Sequence, residues 1–297
     1  TVAEMTPSQT PVFKDPSDYK IVGKYVPRRD IPAKVDGSAQ FALDVRLPDM
    51  AYASVVRSPV PGGSVVSVDD AAARAIEGVL DVVVIPKSSV GGMLGETLST
   101  EAVAVVADSY WTANRAVQAL NVSWSETGFE SVSSDDIYAQ FERDISAKTK
   151  RETDRKAGET ESAFASAARV LDADYHVPFL AHTCMEPLNA TADVRNDSAE
   201  IWVGCQNPLG FRRDVASILG IDPENVTLNN HLMGGGFGRK ARPDYAMQVA
   251  LLSRAVGRPV QLIWSREEDV RQDFYRPAVQ SRFRAAFDSD DNLIAWE

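Results

Sequence analysis

Residues 233–240 read Met-Gly-Gly-Gly-Phe-Gly-Arg-Lys, a run whose residue types suit the binding of an anion better than the packing of a core. Glycine buries no side chain and destabilises the interior of a helix or strand by roughly 0.5–1 kcal/mol relative to alanine. The run follows a strand-like segment at 225–228 and precedes a helix-like segment at 244–252. A glycine loop between a strand and a helix lets backbone N–H groups approach an anionic ligand closely. We therefore predict a ligand-binding loop here, with a tight structural turn as the alternative.

The spacing of this run differs from that of the two common nucleotide-binding loops. A P-loop has Ser or Thr directly after its lysine, whereas Lys240 is followed by Ala241. A dinucleotide fingerprint has glycine or alanine at its sixth position, where this chain has Arg239. The fingerprint also has an acidic residue about 20 positions further on, at the end of the next strand, and this chain has none there. A nucleotide-binding oxidoreductase is therefore the weaker hypothesis.

A second polar residue, Gln206, ends a strand-like segment and precedes Phe237 by 31 positions. Its neutral amide can donate a hydrogen bond to a ligand oxygen without adding charge. Taken alone, Gln206 could equally be an ordinary hydrogen-bonded loop residue. Its position relative to the glycine run makes it a candidate for the same site.

These stretches resemble the molybdenum hydroxylases, the family of xanthine dehydrogenase and aldehyde oxidase. The resemblance covers roughly residues 20–297, and its sharpest motifs are Trp202–Pro208, Met233–Lys240, His182–Pro187 and Ser265–Pro277. Within the family, the chain is most similar to the beta-type large subunits of isoquinoline 1-oxidoreductases and cytochrome-coupled aldehyde dehydrogenases. The family loop usually reads GGGFGGK, and Arg239 here replaces the last glycine. That replacement adds both a cation and bulk.

The resemblance implies a molybdopterin site on the glycine run. Gln206 would hydrogen-bond an oxygen on or near the molybdenum, and Phe237 would lie beside the metal. The implied catalytic residues are thus Gln206 and Phe237. No side chain is expected to ligate the molybdenum, which the pterin holds. The implied cofactor-binding residues are Gln206, Gly234, Gly235, Gly236, Phe237, Gly238 and Arg239.

Several neighbours of the run have open alternatives. Phe237 could instead fill a gap in a core. Arg239 and Lys240 could be solvated cations, or they could contact a cofactor phosphate or an acidic side chain. Glu186 could be a general base, although buried structural hydrogen bonding is the stronger expectation. Both cysteines, at 184 and 205, are expected to be small buried residues.

Composition and charge exclude several function classes. A net charge of −11 over 297 residues disfavours binding to nucleic acid or to an anionic membrane surface. No apolar run approaches 18 residues, so no transmembrane segment is expected. Two cysteines cannot hold a four-cysteine iron–sulfur cluster, and three dispersed histidines lack zinc-site spacing. The first residues contain no initiator methionine and no export signal, which suggests a processed chain or part of a longer one.

The order of the predicted elements indicates an α+β fold. We expect an extended arm or linker at 1–19 and a polar connector at 126–165. By resemblance, residues 20–125 form a hammerhead-like α/β domain and residues 166–297 the first part of a molybdopterin-binding α+β domain. The predicted strands lie at 39–45, 51–57, 64–68, 79–85, 102–106, 120–124, 168–177, 190–194, 200–205, 225–228, 260–265 and 279–287. The predicted helices lie at 71–76, 109–119, 211–219 and 244–256.

The family's reaction inserts a water-derived oxygen into a C–H bond of an aldehyde or an electron-poor N-heterocycle. By resemblance we expect molybdenum on molybdopterin, in the cytosine dinucleotide form, with a [2Fe–2S] cluster on a small partner subunit. The remaining segments of the large subunit and a c-type cytochrome are the other expected partners. The family's catalytic glutamate lies in a GVGEP-like motif that these 297 residues lack, so we expect this chain alone to be incomplete and inactive. The periplasm is the expected compartment, with the cytoplasm as the alternative. The rival hypothesis is a non-catalytic scaffold or binding module that keeps the fold without the metal.

Overall fold

Two units make up the part of the chain that the computed structural model describes, which is residues 5–6, 10–92, 95–147 and 152–297. The first unit, Thr1–Ala39, contains a 3-10 turn at Pro16–Asp18 and a short helix, α1 (Ile31–Asp36). The predicted arm and the predicted polar connector lie partly outside the described residues. The three boundaries between the four segments expected from the sequence stay predictions.

Strands and helices alternate through the second unit, Gln40–Glu297. The strands are β1 (Ala51–Arg57), β2 (Val65–Asp69), β3 (Val79–Ile85), β4 (Ser88–Gly92), β5 (Gly95–Ser99), β6 (Ala102–Ala107), β7 (Asn121–Trp124), β8 (Arg169–Val177), β9 (Asn189–Arg195), β10 (Ser198–Val203), β11 (Val226–Asn230), β12 (Val260–Ile263), β13 (Val279–Phe287) and β14 (Leu293–Trp296). The helices are α2 (Ala71–Arg74), α3 (Tyr110–Gln118), α4 (Ser134–Ala147), α5 (Thr160–Ser166), α6 (Pro208–Leu219), α7 (Asp244–Val256) and α8 (Arg266–Arg271).

The main sheet has seven strands in the order β11-β10-β9-β12-β1-β6-β3. Strand β1 runs parallel to β12, with Ala51 opposite Val260, and β10 runs parallel to β11; the other pairs are antiparallel. Smaller sheets pair β14-β13-β8, β2-β7 and β4-β5. A mixed sheet with helices packed against it is an α+β architecture. The predicted fold class is confirmed.

The core lies on both faces of the main sheet. Strand β6 is an uninterrupted apolar run, Ala-Val-Ala-Val-Val-Ala, and all six of its residues are buried. A strand of this kind needs cover on both faces. Ala104 and Val106 face the large cluster that α7 joins, whereas Val105 faces a smaller cluster with Ala73 and Ala116 of α2 and α3. The site described below therefore stands on a rigid, close-packed base.

The helix after the glycine run begins and ends where the sequence predicts. Pro243 precedes the first residue of α7, and Gly257 ends the helix with a φ of 66°, a left-handed conformation that glycine adopts without strain. Nine of its residues are buried, so α7 packs across β9 and β12 as an interior helix. This packing fixes the downstream end of the loop.

The strand predicted at 39–45 is wrong. The segment forms a 3-10 turn at Ala42–Asp44, and only a single bridge joins Phe41 to Leu232. The Asp44 carboxylate accepts the Phe41 N–H, and Glu186 Oε1 accepts the Leu43 N–H. Side-chain acceptors thus take amides that a strand ladder would need. The sequence prediction also missed α1, α8, β14 and the β4–β5 hairpin.

Candidate active site

Gln206 meets the glycine loop, which we define as Gly234–Gly238, just beyond the end of β10. The Gly238 N–H donates to Oε1 of Gln206 at 3.0 Å, and the Gln206 N–H donates to the Lys240 carbonyl at 2.9 Å. Because the amide oxygen must face the Gly238 donor, the NH₂ group of Gln206 points elsewhere and can donate to a ligand. The structure therefore brings together the two segments that the sequence marked as one site.

Three consecutive amides of the glycine loop are open. Within the described ranges, the N–H groups of Gly235, Gly236 and Phe237 donate to no other residue. Gly235 has a φ of 104° and Phe237 a φ of 52°, so the peptide planes turn sharply through this stretch. Successive unpaired N–H groups in such a turn form a concavity that binds anions. The loop can thus hold an anionic ligand through its main chain.

Glycine is required in this loop because neighbouring groups occupy the space of a side chain. A Cβ on Gly234 would lie 2.4 Å from the Cβ of Glu186, and one on Gly236 would lie 2.7 Å from Oε1 of Gln206. Gly238 has a φ of 103°, a conformation that other residues rarely adopt. These contacts keep the backbone bare, so the loop fits the anionic, pterin-type ligand that the sequence predicts.

Phe237 does not fill a core gap, since 70% of it is exposed. Its ring lies over the loop, and a Cβ on Gly235 would lie 3.3 Å from its Cε2 atom. A positive φ in a bulky residue stores strain, which is found mainly at ligand clamps and active sites. An exposed aromatic in this conformation suits contact with a ligand. Its predicted place beside a metal stays a prediction.

The two cations after the loop turn inward, where each meets a carboxylate. Arg239 donates to both carboxylate oxygens of Asp244, at 2.8 and 2.7 Å. Its Nε atom lies 2.9 Å from Oδ1 of Asp273, an ion pair without hydrogen-bond alignment. Lys240 Nζ donates to Glu186 Oε2 at 2.6 Å. Of the alternatives open for Arg239 and Lys240, the structure shows contact with acidic side chains. Cofactor binding by Arg239 stays a prediction.

Glu186 supports the loop from below. It is buried, and its Oε2 accepts the Gly234 N–H as well as Lys240. Burial raises the pKa of Glu186, but the hydrogen bonds from Lys240 and the Gly234 amide outweigh burial and hold the pKa below its ordinary 4.5. A carboxylate that is already paired and ionised is a structural anchor. The expectation of buried structural hydrogen bonding is confirmed.

Burial and ion pairing together set the pKa values of Arg239 and of the two cysteines at the site. Burial lowers the pKa of Arg239, but attraction to Asp244 and then Asp273 outweighs it and keeps the pKa above its ordinary range. It raises the pKa of Cys184, and it raises the pKa of Cys205 to about 11. Both thiols are buried and free, as predicted, and both stay protonated near neutral pH.

Sequence reasoning missed two acidic residues at this site, Asp244 and Asp273. Both are almost fully enclosed and both contact Arg239, from 5 and 34 positions away. The one available signal was the position of Asp244 after Pro243, where an acidic residue in a first helical turn is expected to face solvent. Nothing in the pattern around Asp273 indicated burial.

Two further observations apply to the described part of the chain. No cluster of three or more His, Cys, Asp or Glu side chains is placed to hold a metal ion. None of the helices combines the length and the apolar character that crossing a membrane requires.

Comparison with known proteins places both halves of the chain. Residues 142–297 match the molybdopterin cofactor-binding domain, and residues 36–128 match the a/b hammerhead domain of aldehyde oxidase and xanthine dehydrogenase. Isoquinoline 1-oxidoreductase subunit beta of Brevundimonas diminuta is 34% identical over 95% of this chain and 36% of its own length. The membrane-bound aldehyde dehydrogenase (pyrroloquinoline-quinone) of Gluconacetobacter polyoxogenes is 33% identical over 96% of this chain and 36% of its own.

The fold has solved counterparts. The crystal structure of quinoline 2-oxidoreductase from Pseudomonas putida 86 superposes with a TM-score of 0.68 and 26% identity, over 92% of this chain and 38% of that one. This chain spans about a third of the length of the curated relatives it matches. With a matching cofactor-binding domain over more than half of its residues, the chain belongs to the molybdenum hydroxylase family of xanthine dehydrogenase and aldehyde oxidase.

Proposed function

We propose that this chain is the molybdopterin-binding portion of a molybdenum hydroxylase that oxidises aldehydes or N-heterocyclic aromatics with oxygen from water. The observation that carries the proposal is the meeting of three open amides, at 235–237, with the free NH₂ group of Gln206. Relatives named for isoquinoline, quinoline and aldehyde oxidation support the two substrate classes. The bound molybdenum cofactor would supply the oxidising centre.

The chain's own residues would bind and orient. The open amides of the glycine loop would hold the cofactor's anionic oxygens, and Gln206 would donate to an oxygen at the reacting centre. Phe237 would shield one side from water because its ring is held above the loop. The anchors Arg239 and Lys240 keep the loop in this shape from below. Each of these groups is preorganised, so binding need not reorder them.

The finer features are part of the same proposal. We propose the cytosine dinucleotide form of the cofactor, a small [2Fe–2S] subunit that takes the electrons, and a c-type cytochrome beyond it. Further segments of the large subunit would supply the catalytic glutamate, so the chain alone would be inactive. The periplasm is the proposed compartment, with the cytoplasm as the alternative.

Metal and pterin analysis of the purified complete assembly tests this function. We expect about one molybdenum and one pterin per copy of this chain, together with oxidation of aldehydes or quinoline-type heterocycles in a substrate screen. Gln206→Ala should strongly reduce turnover while the assembly keeps its circular dichroism spectrum. An assembly that contains neither metal nor pterin and turns over neither substrate class would instead identify a non-catalytic scaffold.

A further inference from the structure

A short segment, His182–Glu186, runs alongside the glycine loop, and its alternate residues face that loop. A Cβ on Gly234 would meet Glu186, one on Gly235 would lie 3.4 Å from the Cβ of Cys184, and one on Gly238 would lie 3.8 Å from Nε2 of His182. The intervening Met185 points away and is exposed. The segment is not a strand, since Thr183 has a φ of 44° and residues 185 and 186 lie in a bend, but its course presents these three side chains to the loop together.

The three side chains differ in what remains unpaired. Glu186 is bonded to Lys240 and the Gly234 amide, and the Cys184 thiol donates to the Gly236 carbonyl at 3.5 Å. For His182, only Nδ1 and the backbone N–H are engaged, both by Oδ2 of Asp273. No residue in the described ranges bonds Nε2. His182 is therefore the one of the three with a free polar atom at the loop.

Asp273 fixes the direction of that atom. Its carboxylate is about 1% exposed and lies between Arg239 Nε, at 2.9 Å from Oδ1, and His182 Nδ1, at 2.9 Å from Oδ2. A histidine held through Nδ1 by a buried carboxylate has a defined ring orientation, with Nε2 directed outward. The ring is only 16% exposed, so it cannot swing freely. Nε2 is thus preorganised next to Gly238 and one residue from the open amide of Phe237.

We propose that His182 is a ligand-contacting residue of this site, in which Asp273 accepts the Nδ1–H and so positions the imidazole for Nε2 to accept a hydrogen bond from an N–H or O–H group of the pterin cofactor beside Gly238. This inference rests on the proposed function. It adds a side-chain contact to a site otherwise made of main-chain amides and Gln206. Asp273 then has two tasks, since the same carboxylate anchors Arg239 beneath the loop and His182 beside it.

Two substitutions separate contact with the ligand from support of the fold. In His182→Asn the amide reaches only as far as Nδ1, so it keeps the bond to Asp273 and loses the Nε2 contact. In His182→Gln the amide reaches the Nε2 position but gives up the Nδ1 geometry. The measurement is the rate at which molybdenum and pterin leave the purified complete assembly during dialysis. We expect Asn to accelerate loss by up to about tenfold, the effect of one hydrogen bond between neutral groups, and Gln to retain the cofactor better.

The opposite ranking, with Asn like the unsubstituted protein and Gln impaired, would assign His182 a structural role and overturn the proposal. Equal retention by all three proteins would also overturn it. If the unsubstituted assembly contained no cofactor, the proposed function itself would have failed, and this inference with it. If the unsubstituted assembly holds the cofactor and both variants retain it equally well, only the inference about His182 fails.

Chemical modification of the unsubstituted assembly gives a readout that needs no variant. Diethyl pyrocarbonate modifies accessible imidazole nitrogens, and peptide mass spectrometry assigns each of the three histidines. We expect His182 to be protected in the loaded assembly and modified after the cofactor is removed. His176, which lies on β8 and stacks on Tyr138, is the internal reference and should not change. Equal modification of His182 in both states would overturn the contact.

Discussion

Two groups of ion pairs in this chain have the same chemistry and opposite surroundings. Beneath the glycine loop, Arg239 and Lys240 are each about 1% exposed and bonded to carboxylates that are just as enclosed or nearly so. On the three-stranded sheet, Arg282 of β13 meets Asp174 and Glu142, and its side chain is 34% exposed. Arg284 of the same strand, opposite Asp172 of β8, is more exposed still.

The comparison shows that the cost of losing one partner of an ion pair depends on how deeply the pair is buried. A buried pair that loses one partner leaves the other charge without water, which is strongly destabilising. An exposed pair that loses one partner exchanges it for water and ions at little cost. We therefore expect the loop's shape to depend on its ion pairs, whereas the pairs of the three-stranded sheet contribute mainly to solubility.

Breaking the buried Lys240–Glu186 ion pair should have the largest effect on stability. Lys240→Met keeps the length of the side chain but leaves the Glu186 carboxylate buried without its cation, so we expect a loss of about 3–5 kcal/mol in the free energy of unfolding. Urea denaturation of the chain measures this. The double variant Lys240→Met with Glu186→Gln removes the stranded charge and should recover much of the loss. A single variant as stable as the parent would show that the buried pair is energetically no different from the exposed ones.

Acidic pH should reduce the difference in stability between the parent and Lys240→Met. Because the pKa of Glu186 is lowered by folding, its contribution is complete above the ordinary value of 4.5 and is lost as pH falls through the lower, folded-state value. The stability gap between the parent and Lys240→Met should therefore be widest near neutral pH and shrink as the pH falls, because the unpaired Glu186 of the variant becomes protonated first. Urea midpoints from pH 7 to pH 3 test the sign. A gap that widened toward acid would contradict the assignment of Glu186 as the ionised partner.

A substitution in the glycine loop itself should have a smaller effect on stability and a clear effect on cofactor binding. Gly236→Ala places a methyl group 2.7 Å from Oε1 of Gln206, which must swing away and release the Gly238 N–H. We expect about 1 kcal/mol of destabilisation and roughly tenfold weaker cofactor retention in the assembly. Gly91→Ala is the matched control, since nothing lies within 4 Å of its Cβ. Retention equal to that of the control would separate Gln206 from the ligand.

The smallest effect on stability is expected from a substitution on the three-stranded sheet. Arg282→Ala removes the contacts to Asp174 and Glu142, yet all three groups are solvated, so the thermal midpoint should move by less than about 2 °C. Differential scanning calorimetry at low and high salt measures this. A large shift that salt does not reduce would mean that these pairs are shielded from solvent and would remove the contrast between the two regions.

The features that were predicted correctly from the sequence are those that local sequence patterns determine. Pro243 and Gly257 bracket α7, and branched apolar runs mark β3 and β6, so their bounds were predictable. The pairing of Gln206 with the glycine loop was also predicted, though through family resemblance. The burial of Arg239 was left open because its partner Asp273 is distant in sequence and no local pattern links the two. The strand wrongly predicted at 39–45 failed for the same reason, since Glu186 takes one of its amides.

The parallel pairing of β1 with β12 has a consequence for motion. The strands β1, β3 and β6 fall in the segment that matches the hammerhead domain, whereas β9 to β12 fall in the cofactor-binding match, and all seven form one continuous sheet. A hinge between the two segments would have to break the backbone hydrogen bonds from Ala51 to Ala53. The continuous sheet therefore ties the hammerhead-type strands to the base of the candidate site, so a movement that opened this site would have to arise in its loops.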